Sequence, residues 1–305
     1  METGNSPCPD KDPQPQSSSN PHNFESLLLE RFNQTDKKIR FLSYAGGGGA
    51  GHVFGVRIAD KQYALKMFKF DHPELNVSRL RGMKRRYLLD PFFIECRANG
   101  SLIQQGLNGQ ITPFCYGWVK IPARAEIHLS RKFEIHPFTW NRPPSAADQD
   151  IPGILFEWID GHPLWRIRPS RDIADQIRAK LKALHGAQVA HGDLRASNIL
   201  VQSLESKAYL VDLSASITHP HIRFSLEKIQ ENQRDEAQGL ETGLALLSQI
   251  PVNKSLSVSN LSSSDEESLE RLFAESEYIK HLWAPPQPTC WQPPTVEPCS
   301  AVCDF

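Results

Sequence analysis

The chain has 305 residues, 39% of them hydrophobic and 23% charged, with a net charge of −1. This length suffices for one large domain or two lobes, and the balanced charge excludes the basic footprint of a nucleic-acid surface or a polybasic membrane patch. No apolar run reaches transmembrane length, and the six cysteines (8, 96, 115, 290, 299 and 303) lack zinc spacing and are expected to stay as thiols in a reducing compartment.

Residues 1–22 carry five prolines and three consecutive serines. So polar a segment cannot bury enough surface to offset its ordering entropy and reads as a disordered tail. It has no hydrophobic signal core, which predicts an intracellular protein, cytoplasmic or nuclear. Phe24, Leu27, Leu28 and Phe32 stand at helical spacing and predict a short helix over 24–32.

Ile39 to Tyr44 has a strand pattern. Gly46-Gly47-Gly48-Gly49-Ala50-Gly51 follows, then a second strand from Val53 to Ile58, a turn at Asp60-Lys61, and a third strand through Tyr63-Ala64-Leu65-Lys66-Met67-Phe68. Glycines allow a backbone to approach phosphate oxygens and aim its N–H groups at them, although four glycines alone also suit a flexible hairpin. Alternation puts Ala64, Lys66 and Phe68 on one face. Asp90-Pro91 is an N-cap with proline in the first helical position, predicting a helix from Pro91 to about Gln105 that Gly106 ends. Ile94, Ala98 and Leu102 mark its buried side. A buried Glu95 would need a partner, and Lys66 is the candidate.

Phe114 to Val119 reads as a strand. Residues 121–150 lose pattern and read as an insertion, with a hairpin around Ile127–Ile135. Ile151 to Phe156 is the next strand, running into the polar bend Glu157-Trp158-Ile159-Asp160-Gly161. An amphipathic helix is expected from Asp172 to Leu184, with Ile173, Ile177, Leu181 and Leu184 on one face. It delivers the chain to His191-Gly192-Asp193-Leu194-Arg195-Ala196-Ser197-Asn198. The apolar runs Ile199–Val201 and Tyr209–Val211 then form a hairpin that ends at Asp212-Leu213-Ser214. Two acids and an amide meet at one hairpin edge, a way to hold a divalent metal beside a proton acceptor. Residues 225–249 are helical, with Leu240, Leu244 and Leu247 on one face. A serine-rich loop covers 254–264, a capping box opens a helix from Ser264 to about Tyr278, and 284–305 is a proline-rich tail strapped by Trp283 and Trp291.

Taken together, these pieces resemble the eukaryotic protein-kinase-like superfamily, in an atypical, minimal form. Gly46, Gly48, Gly51 and Val53 match G-x-G-x-x-G-x-V, and Tyr63 to Lys66 resembles the V-A-I-K strand. His191 to Asn198 matches H-x-D-x-x-x-x-N, and Asp212-Leu213-Ser214 stands in the D-F-G place. The resemblance implies an α+β, two-lobed fold. Residues 23–160 would form an N-lobe of antiparallel sheet plus one helix, and 161–283 a reduced, mainly helical C-lobe. It implies an ATP-dependent phosphotransferase that uses Mg2+ and moves the γ-phosphate to a hydroxyl acceptor, on Ser/Thr of a protein or on a small molecule.

The roles follow from the same resemblance. Gly46, Gly48, Gly51, Val53 and Ala64 would surround the nucleotide, and Lys66, oriented by Glu95, would neutralise its phosphates. Glu157 and Ile159 would offer backbone groups to adenine and Asp160 would meet the ribose. Asn198 and Asp212 would ligate magnesium. Asp193 would deprotonate the acceptor, and Arg195 would stabilise the transferring phosphoryl. Gly192 replaces the arginine of H-R-D, as in aminoglycoside phosphotransferases, Ser214 replaces the glycine of D-F-G, and A-P-E is missing. Only 22 residues separate Asp212 from Asp235, read here as the acid opening the central helix. These departures keep open a second reading, a pseudokinase or ATP-binding interaction module whose tails meet other proteins.

Overall fold

The computed structural model describes residues 20, 22–33, 38–70, 82–202 and 204–248. The expected tails, the 254–264 loop, the 264–278 helix, and Cys8, Cys290, Cys299 and Cys303 lie outside the described residues, save for Asn20 and His22 of the first tail. Within them the chain is α+β, with five α-helices and a five-stranded antiparallel sheet.

Strands β1 (Ile39–Gly47), β2 (Gly51–Ile58) and β3 (Lys61–Phe68) form a meander. β5 (Ile151–Glu157) pairs with β3, and β4 (Cys115–Ile121) closes the sheet in the order β1-β2-β3-β5-β4. Two helices separate β3 from β4. The first, α1 (Gly82–Leu89), has no counterpart in the sequence reading. The second, α2 (Pro91–Gln104), starts as its sequence dictates: Asp90 Oδ1 accepts the Phe93 amide at 3.2 Å, satisfying an orphan donor, and Pro91 needs no donor there. The chain turns out of it at Gly106, in the left-handed region at φ 71°.

Two expectations in this half are corrected. Residues 24–32 are not a helix, because Leu28 takes φ 61°, which stops helical propagation. Leu28, Leu29 and Phe32 are buried as their spacing suggested, but along an extended path: Phe32 donates its amide to Trp118 O (2.9 Å) and Trp118 donates to Glu30 O (3.0 Å). The insertion holds no hairpin. Arg124–Lys132 is helix α3, which buries Ala125 and Leu129 one turn apart and leaves Ile127 exposed. Its acid lies in the first turn and its bases in the last, matching the helix dipole. Trp140, fully buried, donates Nε1 to Ser130 Oγ (3.0 Å) and packs in the same core as Phe54 and Met67. The insertion therefore covers one face of the sheet.

After β5 come β6 (Gly161–Pro163) and α4 (Arg171–Gly186), the latter capped by Ser170, whose Oγ accepts the Ile173 amide. Ile173, Ile177, Leu181 and Leu184 are buried as periodicity requires. β7 (Val189–Ala190) pairs with β10 (Ile217–Thr218), and β8 (Ile199–Gln202) lies between β6 and β9 (Lys207–Leu210). The chain continues into α5 (Leu226–Ser248), which buries Leu240, Leu244 and Leu247. One apolar core joins α4, α5 and the β8–β9 hairpin, and two others lie on the sheet. α2 reaches both parts through Ala98, Leu102 and Cys96, so it is buried on nearly every side rather than along the single stripe of Ile94, Ala98 and Leu102. Cys96 and Cys115 are buried free thiols. Among the described residues no helix is long and apolar enough to cross a membrane.

Candidate functional site

The site forms where β3, α2 and the end of the β8–β9 hairpin meet. Lys66, buried on β3, donates Nζ to Glu95 Oε2 of α2 at 2.5 Å and to Asp212 Oδ1 at 2.6 Å. Its ammonium also lies 5.1 Å from the Phe68 ring centre. Burial opposes the charge on Lys66, but the two carboxylates outweigh it and hold its pKa above the ordinary value. Burial pushes Glu95 up to about 7, against the pull of Lys66. Burial also opposes ionisation of Asp212, yet Lys66 and the two Ser214 donors keep its carboxyl well below the usual range. One cation thus serves two acids of unequal strength, and Asp212 is the ionised partner throughout the neutral range.

Asp212 itself has φ 64° and accepts both the amide and the hydroxyl of Ser214. The serine that stands in place of glycine is therefore a local clamp on the carboxylate. Val211 donates its amide to Asn198 O at 2.9 Å, which ties the hairpin end to the polar loop.

In that loop both oxygens of Asp193 are engaged. Arg195 donates Nε to Oδ1 at 2.8 Å and adds its Nη2, while Asn198 donates Nδ2 to Oδ2 at 3.1 Å and to the Asp193 carbonyl at 2.9 Å. Asn198 spends its amide nitrogen on Asp193, which leaves Oδ1 as the atom that could ligate a cation. With one oxygen from Asn198 and the carboxylate of Asp212, the chain offers two hard donors. Among the described residues no three His, Cys, Asp or Glu side chains gather into a metal-binding group. Two oxygen donors fit Mg2+ shared with substrate phosphates and water rather than held in an all-protein cage.

His191 is fully buried and burial keeps it neutral. Its Nε2 donates to Val211 O (3.2 Å) and its Nδ1 accepts the Asp193 amide (3.4 Å), which fixes the tautomer. The loop's start is held from below by Glu236 of α5: Oε2 accepts His191 N (3.0 Å) and His185 Nε2 (2.8 Å), and Oε1 accepts Gly192 N (2.6 Å). Asp235, the acid expected to open this helix, is a mid-helix residue, and its neighbour makes these contacts. Glu236 was missed because successive helical residues point about 100° apart, so sequence gives the turn but not the residue that faces inward. A cavity of about 280 Å³ lies between this loop and α5, lined in part by Asp193, Ala215, Asn232, Asp235 and Glu236.

Gly192 has φ 79°, and a Cβ there would lie 2.0 Å from Ala215 O. The backbone after Asp212 presses on the loop at this point, so only glycine fits.

The remaining expected residues lie along β1 to β3 and at the end of β5. Gly46 pairs with Val53 one residue before β1 ends, Gly48 lies in the turn, and Gly51 opens β2. Gly48 donates its amide to Gly51 O (2.9 Å), and Lys69 donates Nζ to Gly48 O (2.6 Å), so the turn is fastened at its tip. His52, not foreseen, braces it from the outer face: Nδ1 meets Tyr44 Oη (3.0 Å), Nε2 meets Thr139 Oγ1 (3.2 Å), and the ring lies 4.5 Å from that of Trp140. Burial, with Lys69 nearby, lowers its pKa to about 4. Val53 is paired with Lys66, and Ala64 with Phe156. The Glu157 amide is bonded to Phe114 O (2.8 Å) and is not an open donor. Ile159 is buried and Asp160 exposed beside it.

Fold and site together define an α+β protein in which one buried lysine joins the sheet to a helix and to the end of a hairpin. The model of the family described as kinetochore Sim4 complex subunit FTA2 matches residues 16–217, two-thirds of the chain, and the chain belongs to that family. The match takes in Lys66, Glu95, the polar loop and Asp212, and ends in β10. No curated protein matches the chain.

Proposed function

We propose that the chain is a protein-kinase-like ATP-dependent phosphotransferase with a reduced helical half, which uses Mg2+ and passes the γ-phosphate to a hydroxyl, on Ser/Thr of a protein partner. The observation that carries this reading is the Lys66 ammonium bridging Glu95 and Asp212. A lysine so placed is charged, oriented and able to meet phosphate oxygens, and the Gly46–Gly51 turn hangs from the strand paired with its own. When bound between Asn198 and Asp212, Mg2+ would offset phosphate charge. Asp193 takes the acceptor's proton as its oxygen bonds to phosphorus, and the bond from phosphorus to the bridging oxygen breaks to release ADP. Arg195 must first leave Asp193 Oδ1, and its guanidinium is then at hand for the phosphoryl oxygens.

The family description supports assembly with other proteins of a kinetochore complex, and with it residence in the nucleus. It also favours a second reading, in which the site binds Mg-ATP to stabilise an interaction module without turnover. The engagement of both Asp193 oxygens supports that alternative. Thermal shift with Mg-ATP followed by ATP turnover separates the two, for wild type, Lys66→Ala and Asp193→Ala. Turnover lost in both variants supports the phosphotransferase, and binding without turnover supports the module. Turnover that survives Asp193→Ala excludes the assigned mechanism, and absence of any nucleotide binding excludes both readings.

A further inference from the structure

We infer that residues 22–33 form a strap that holds α2 in place, and that Arg97 is a positioning residue through which the strap keeps Glu95 on Lys66. Glu95 and Arg97 are two residues apart, about 200° around the helix, and so face opposite ways. Glu95 meets Lys66. Arg97, only 2% exposed, donates Nη1 to the carbonyls of Asn23 (3.1 Å) and Ser26 (2.7 Å).

Three further contacts seat the strap. Gly100 of α2 lies against Leu28, where a Cβ would stand 2.5 Å from the Leu28 carbonyl carbon. Leu29 shares a core with Cys96, next to Glu95, and with Phe68, two residues beyond Lys66. Phe32 and Glu30 then pair with Trp118 of β4. The strap thus touches both α2 and the edge strand β4 and ties the helix to the sheet. A shift of the helix would take Glu95 from Lys66 on one side and Arg97 from the carbonyls of Asn23 and Ser26 on the other.

The inference rests on reading Lys66 and Glu95 as the phosphate-binding pair, but its test needs no nucleotide. Each full-length protein is treated with an amine-acylating reagent at fixed pH, and the labelling rates of Lys66 and exposed Lys61 are read by peptide mass spectrometry. The proteins are wild type, Glu95→Gln, Gly100→Val and Arg97→Met. Gly100→Val and Arg97→Met are expected to label Lys66 severalfold faster than wild type, approaching Glu95→Gln, with Lys61 unchanged. Wild-type labelling of Lys66 in both variants, or an equal rise at Lys61, overturns the strap. Should neither variant fold, hydrogen exchange of the wild type decides. The Phe32 and Trp118 amides and those of the first turns of α2 are expected to exchange in one common opening. Strap amides that exchange while α2 opens independently overturn it. Mg-ATP binding of the wild type, measured separately, reports on the phosphotransferase reading alone.

Discussion

Glu236 Oε1 accepts the Gly192 amide at 2.6 Å across 44 positions of sequence. The same carboxylate takes the His191 amide and the His185 ring, so the loop bearing Asp193 hangs on one side chain of α5. Glu236→Ala leaves two backbone donors and a histidine without their acceptor. The expected loss is about 2–4 kcal/mol of stability, read by urea unfolding; under the proposed phosphotransfer, ATP turnover would fall further than Mg-ATP affinity because Asp193 loses its placement.

Gly192→Ala tests the fit of the loop from the other side. The left-handed backbone and the approach of Ala215 O both oppose a side chain. The variant is expected to lose about 2–4 kcal/mol in the same unfolding measurement, and Gly192→Arg to cost at least as much. A neutral Gly192→Ala would mean that the 212–216 backbone moves aside.

Lys66→Met leaves Glu95 and Asp212 facing each other without a cation. The expected cost near neutral pH is about 3–5 kcal/mol, and it shrinks as the pH falls because Glu95 takes up a proton first. Melting temperatures of wild type and variant across pH 5–8 check this; a gap that widens towards acid contradicts it.

Glu95 also sets a slope in the wild type. Its folded pKa of about 7 exceeds the unfolded value near 4.5, so between these limits the native state binds more protons than the unfolded one. Its contribution to stability is therefore greatest below the unfolded pKa and falls as pH rises through the folded one. Asp212 acts oppositely: its depressed pKa contributes stability above its unfolded value, lost only in strong acid. Glu95→Gln is expected to flatten the pH dependence of stability between about 4.5 and about 7, leaving the acid limb intact.

Trp140→Ala probes the insertion. The ring is fully buried, stacks with Phe54 and rests on His52. The expected cost is about 3–5 kcal/mol, by denaturant titration. A cost under about 1 kcal/mol would class 121–150 as a surface appendage.

Much of this was legible in the sequence because the signals were local. Asp90-Pro91 announces a capped helix, the spacing of Ile173 to Leu184 gives α4, and the two apolar runs after Asn198 give a hairpin. The Lys66–Glu95 pair followed from the need of a buried acid for a cation. What was not legible depended on distant partners. Residues 24–32 had helical spacing, but β4 offered an edge and Leu28 turned left-handed. The insertion's prolines masked the one-turn spacing of Ala125 and Leu129. Nothing near Arg97 in sequence revealed its acceptors, the carbonyls of Asn23 and Ser26.

The bond between Lys66 and Asp212 spans 146 positions and joins the five-stranded sheet to the hairpin end. It works as a clasp: the two parts cannot swing apart without stripping a buried ammonium of its stronger acid. A pair this buried is little screened by salt, so the clasp should hold over a wide range of ionic strength.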